Sequence, residues 1–85
     1  MTDTILKFST SWCLPCNQMN SALDGIDLGV PMTSHDVDNE QDKELARFYQ
    51  VRSIPTLIRL KDGVEVARLK GFDSLEVVKN WIQSN

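Results

Sequence analysis

Ile5-Leu6-Lys7-Phe8-Ser9-Thr10-Ser11-Trp12-Cys13-Leu14-Pro15-Cys16 is the stretch on which the reading of this 85-residue chain turns. Its first half is apolar enough to predict a strand over residues 4–9. Pro15 then sits where a helix begins, because a proline's missing N–H costs nothing in a first turn whose N–H groups have no partners anyway. Both cysteines of the protein fall at this junction, with two residues between them. Cys13 is thereby placed at a helix N-terminus, where unpaired N–H groups and the positive dipole end favour an anion. Its thiol is expected to ionise more readily than a free thiol of pKa about 8.5. A downward shift of one to two units corresponds to roughly 1.4 to 2.7 kcal/mol in favour of the thiolate. Cys13 is therefore the candidate nucleophile. Cys16, one turn further in, is expected to be more buried and to attack a mixed disulfide formed at Cys13. A purely structural disulfide is the competing reading, but so small a ring constrains little of the unfolded chain and adds little stability. A metal site is not expected, since zinc takes four ligands and the two cysteines with His35, the only histidine, leave the set incomplete.

Length and composition bound the answer. The chain predicts one domain, residues 1–85, with a modest core. Its 41% hydrophobic and 25% charged content is that of an ordinary globular protein. No apolar run approaches the roughly 20 residues that cross a bilayer. The first residues carry an acid and no basic cluster, so no secretory signal is read there and a cytoplasmic location is expected. In that compartment an isolated, closely spaced cysteine pair points to catalysis or metal binding before structure. A net charge of −3 and scattered basic residues argue against nucleic acid as a partner. Gly25 and Gly29 are too isolated to form a phosphate-binding loop.

Along the chain, a helix is predicted over residues 15–23, with Met19, Ala22, Leu23 and Ile26 as its core-facing positions. A second strand follows at 30–37, ending in Asp36-Val37-Asp38. A second helix is read at 41–49, with Leu45, Phe48 and Tyr49 as its inner stripe. Ile54 to Leu60 reads as a strand opened by Pro55, Lys61-Asp62-Gly63 as a turn, and Val64 to Lys70 as the returning hairpin strand. Gly71 breaks that strand, and a last helix over 74–83 carries Leu75, Val78 and Ile82 on one face with Trp81 beside it. The order β-α-β-α-β-β-α predicts an α/β fold built on a four-stranded mixed sheet with helices on both faces.

Trp12-Cys13-Leu14-Pro15-Cys16, joined with Ser53-Ile54-Pro55-Thr56, the Lys61-Asp62-Gly63 turn and Gly71, resembles the thioredoxin family from Leu6 to Trp81. The strand and helix that usually precede this core in that family have no counterpart here. The resemblance implies a thioredoxin-like fold in which Pro55 follows a cis peptide bond and packs on the two sulfurs. It implies that the backbone of Ile54 pairs with an extended substrate segment. Trp12, Leu14, Pro15, Ile54 and Gly71 would then line an apolar contact area around an exposed Cys13 sulfur. Where the family usually buries an aspartate, six residues before the first cysteine, this chain has Lys7. Three readings of Lys7 stand: its ammonium snorkels to solvent; it stays charged beneath the thiols and favours thiolate; or burial makes it a base. Asp36 and Asp38 are candidate substitute acids, or simply exposed carboxylates at a strand end.

The implied activity is thiol–disulfide exchange, with protein disulfides as substrates, the Cys13–Cys16 pair as the redox centre and no bound cofactor. A thioredoxin reductase or another thiol donor would reset the pair, and the protein would act as a monomer without membrane association. Two alternatives remain: a glutaredoxin-like small redoxin, for instance an electron donor to ribonucleotide reductase, or a non-catalytic binding subunit with the same fold.

Overall fold

The computed structural model describes residues 2–84. Seven elements follow one another: β1 (Asp3–Ser9), α1 (Leu14–Leu23), β2 (Met32–Asp36), α2 (Glu40–Phe48), β3 (Thr56–Lys61), β4 (Val64–Lys70) and α3 (Leu75–Ser84). They build one four-stranded sheet in the order β2-β1-β3-β4. β1 runs parallel to β2 and antiparallel to β3, and β3 is antiparallel to β4. The expected mixed sheet is thus formed, with β1 and β3 in its centre.

A central strand covered on both faces must be apolar on both. β1 obeys this closely. Ile5 faces one way and packs with Met19 of α1, Leu57 of β3, and Val78 and Ile82 of α3. Leu6 and Phe8 face the other way and pack with Ala46 of α2 and Ile58 and Leu60 of β3. Helices α1 and α3 therefore cover one face and α2 the other. Lys7, sharing the Ile5 face by alternation, is the single charged residue between Thr4 and Ser9 in this strand.

The hairpin between β3 and β4 turns through Asp62 and Gly63, both with positive φ, 53° and 83°. That pair matches the right-handed twist of the strands it joins. Asp62 is tied to the first strand's start, its N–H donating to the Thr2 carbonyl at 2.8 Å. α2 begins at Asn39, whose side chain accepts from the Gln41 and Asp42 N–H groups.

Four expectations are corrected. β2 is shorter than read, because residues 30 and 31 precede the ladder and the Thr4 hydroxyl and Ile5 N–H both donate to the Pro31 carbonyl. α1 stops at Leu23, and Gly25 with φ 71° carries the chain away, so Ile26 lies outside the helix and is 38% exposed. Phe48 is no inner residue: at the end of α2 it points outward, 77% exposed, and meets Tyr49 edge to face. Ala46 is buried in its place, with Leu45 and Tyr49 packed beside it. Finally, β3 starts at Thr56, so Ile54 and Pro55 form a segment ahead of the strand.

Candidate redox site

The C-terminal end of β1 delivers Ser9, Thr10 and Ser11 to the edge of the sheet, and α1 departs from there. Cys13 is the N-cap of α1 in extended conformation, and Pro15 occupies the first turn. The Cys16 N–H donates to Cys13 Sγ at 3.2 Å, and the Asn17 N–H donates to the Cys13 carbonyl at 3.0 Å. Asn17 also reaches back, its Nδ2 donating to the Ser11 carbonyl at 3.1 Å, which braces the loop from both ends. Cys13 and Cys16 are joined as a disulfide with Cα atoms 5.2 Å apart. That spacing lies within the range disulfides ordinarily span. When the bond opens, the N–H group of Cys16 and the dipole of α1 bear on the Cys13 sulfur.

The two cysteines are buried unequally. Cys16 is fully enclosed, and Cys13 retains 8% exposure. The Cys13 sulfur is thus less open than the sequence suggests, because Ile54 approaches it, with its carbonyl oxygen 4.0 Å from Sγ. The Ile54–Pro55 peptide bond is cis, and Pro55 is buried. Gly71, with φ 79°, donates its N–H to the Pro55 carbonyl at 2.8 Å and so closes the same end of the sheet. A side chain there would be strained, which is why a glycine ends β4. Around the pair, Trp12 is 71% and Leu14 68% exposed. Pro15 is exposed too, while Ile54 and Gly71 are half-buried.

Sequence reasoning missed how Trp12 is held. Its Nε1 donates to Asp38 Oδ2 at 2.8 Å. Asp38 lies just past β2, and its N–H donates to Asp36 Oδ1 at 2.9 Å. Asp36 in turn donates its N–H to Asp42, which also pairs with His35 at 2.8 Å. The His35 ring stacks on Phe8 of β1. Asp38 is therefore tied to the indole and not to either sulfur. Nothing in the spacing of Trp12 and Asp38 signals this pairing, which arises only when β2 docks beside β1.

Lys7 lies under α1, on the face it shares with Ile5 and Met19. With Asn20, Leu23, Asp24, Asp27 and Met32 it lines a cavity of about 460 Å³. It makes no ion pair or hydrogen bond among the described residues. Burial pulls its ammonium pKa below the ordinary lysine value.

The fold and this geometry agree with what comparison with known proteins shows. The thioredoxin family model matches residues 1–84. The chain belongs to the thioredoxin family. A thioredoxin of Chlamydia pneumoniae is 34% identical over 82 residues, which is 95% of this chain and 80% of the relative. A thioredoxin of Chlamydia trachomatis serovar D is 40% identical over 75 residues, 84% of this chain and 74% of the relative. Among solved structures, thioredoxin-2 of a malaria parasite superposes with a TM-score of 0.84 at 28% identity, covering 99% of this chain and 84% of that one. This thioredoxin-family chain is a thiol–disulfide oxidoreductase with a redox-active Cys13–Cys16 pair. Thioredoxins act on protein disulfides and take electrons from thioredoxin reductase. Among the described residues, no helix is long and apolar enough to cross a membrane.

Proposed function

We propose that this protein reduces protein disulfides with Cys13 as the attacking thiolate and Cys16 as the resolving thiol, within a single thioredoxin-like domain over residues 1–85. The observation that carries the assignment is the position of Cys13 as N-cap of α1, with its sulfur accepting the Cys16 N–H. A thiolate at that place gains a hydrogen bond and the dipole, whereas Cys16 lies inside the helix and wholly buried. In the first step the Cys13 thiolate attacks one sulfur of the substrate. The substrate S–S bond breaks, and the departing substrate thiolate takes a proton. Cys16 then loses its proton and attacks Cys13 Sγ, releasing the second substrate thiol and leaving the Cys13–Cys16 disulfide. Two electrons and two protons have passed to the substrate.

Trp12, Leu14, Pro15, Ile54, Pro55 and Gly71 form the surface against which the substrate segment lies. The exposed indole and the Leu14 side chain supply apolar contact, and Asp38 limits how the indole turns. Lys7 tunes the pair from below. Asp24 and Asp27, both exposed, line the same cavity, and the flexible stem of Lys7 lets its ammonium stay hydrated and charged there. That charge favours thiolate above it. No bound cofactor takes part; a thioredoxin reductase, or another thiol donor, returns the electrons. The protein works as a monomer in the reducing cytoplasm, with neither nucleic acid nor membrane as partner.

The deciding experiment resets the oxidised protein either with NADPH and thioredoxin reductase or with glutathione alone, while a protein disulfide is being reduced. Faster turnover with the reductase is expected. Turnover with glutathione alone at an equal or greater rate assigns the protein to the glutaredoxin-like redoxins. Survival of its cellular role after both cysteines become serine assigns it to binding subunits.

A further inference from the structure

The strand order arranges what lies along the redox end of the sheet. Asp36 ends β2 and Asp38 follows it; Trp12 and Cys13 follow β1; Arg52 to Pro55 precede β3; and Lys70 ends β4. Neighbours along this rim are physically linked. The Val37 N–H donates to the Ser9 carbonyl, Trp12 to Asp38, and Gly71 to the Pro55 carbonyl, while Cys13 Sγ faces the Ile54 carbonyl. The charges on the rim are sorted by side. Asp36 and Asp38 are exposed on the β2 side, and Arg52 and Lys70 are exposed on the other. Hydrogen bonds from a neutral indole and a backbone N–H leave the two carboxylates their charge. Arg52 and Lys70 have no ion-pair partner among the described residues. Asp73, exposed two residues past Gly71 in the run into α3, also lies toward this end, and Arg52 and Lys70 outnumber it there.

We infer that the redox face selects disulfides in chain segments that carry a cation on one flank of the cysteine, over Asp36 and Asp38, and an anion on the other, over Arg52 and Lys70. This rests on the exchange reaction proposed above and names the substrate class it favours. Strands about 4.8 Å apart put the two outer strands about 14 Å from one another, the length of about four extended residues. Cys13 follows β1, one spacing from β2 and two from β4, so a cysteine over it has the acids about one to two residues away on one side and Lys70 about three away on the other, and long side chains two positions to either side reach both poles. Complementary charge of this kind orients encounter complexes and rejects reversed ones, and salt weakens it.

Four peptides test the inference. Each carries a central cysteine disulfide-bonded to an uncharged reporter thiol, with Lys/Glu, Glu/Lys, Lys/Lys or Glu/Glu two residues to either side. Rates of reduction are compared for the wild type and for the Arg52→Glu/Lys70→Glu double variant. In the wild type at low salt, one mixed order should be reduced about fivefold faster than its reverse, the range that exposed ion pairs supply. The gap should close at about 0.5 M salt. The double variant has acids on both sides, so the Lys/Lys peptide should become its best substrate. Bis(2-hydroxyethyl) disulfide, which is uncharged, should be reduced equally by both proteins and so shows that the variant folds with its redox pair intact. Wild-type rates within about twofold for all four peptides, or an unchanged ranking in the variant, would overturn the selectivity. Failure of the wild type to reduce even the uncharged disulfide would instead bring down the exchange reaction, and the selectivity with it.

Discussion

Asp38, just past β2, holds the indole of the redox motif, and its removal has a calculable effect. The Trp12 Nε1 to Asp38 Oδ2 bond is 2.8 Å long, but both residues are exposed and water can replace either partner. Its net worth is then about 1 kcal/mol, near the middle of the range for hydrogen bonds in proteins. Asp38→Ala should lower the ratio of tethered to free indole about fivefold. Asp38→Asn keeps an acceptor and should lower it less. Trp12 forms part of the proposed contact surface, so kcat/KM toward an uncharged protein disulfide should fall about two- to fivefold in the alanine variant, with a smaller fall for asparagine. Using an uncharged substrate keeps the rim charges out of the comparison. The motion of the indole is read by tryptophan anisotropy decay in a Trp81→Phe background, where Trp12 is the only emitter. Should the Asp38→Ala indole remain as immobile as the wild-type one, the hydrogen bond does not hold it. Should it become mobile with no change in rate, Trp12 does not meet the substrate.

Cys16→Ser should trap a mixed disulfide through Cys13, seen as a mass adduct that small thiols reverse; Cys13→Ser should trap none. Lys7→Met should raise the pH at which the thiolate absorbance of the reduced protein develops, and an unmoved curve would leave Lys7 inert. Met19 is fully buried where α1 packs on the sheet, so Met19→Ala should cost about 2–4 kcal/mol in urea unfolding, and a loss below about 1 kcal/mol would contradict the packing described. Three carboxyls are held below their ordinary pKa values: Asp3 by the hydrogen bond from Arg59, Asp42 by that from His35, and Glu65 by that from Arg68. A lowered folded pKa gives stability that is complete above the unfolded carboxyl pKa of about 4 and is lost as pH falls through the lower, folded one. Tm should therefore fall below about pH 4 in the wild type and fall less steeply in Asp42→Asn; equal slopes would show that the His35 pair carries none of it.

The element order was legible because its signals are local. Apolar runs, a proline in a first helical turn and an Asp-Gly turn act over a few residues, and the boundaries derived from them agree with the structure to within about two residues at every end. The two positions wrongly expected to face the core share a cause. Ile26 and Phe48 keep helical spacing with core residues, yet one helix ends before its position and the other turns its last residue outward. Periodicity does not say where a helix stops. At the site, the cysteines and the segment around Pro55 stand out as short patterns, whereas the Trp12–Asp38 bond and the cavity beside Lys7 depend on strands brought together from distant parts of the chain. The same holds for Arg59, whose buried guanidinium pairs with Asp3 and donates to the Ile82 carbonyl, linking β1, β3 and α3.

The account stands on an ionised Cys13 at the start of α1, and the rate of alkylation of the reduced protein as a function of pH measures it most directly. With iodoacetamide and peptide mapping, Cys13 should react well ahead of Cys16, with a midpoint at least about one unit below the 8.5 of a free thiol. A Cys13 midpoint equal to that of an unstructured peptide, or faster modification of Cys16, would contradict it.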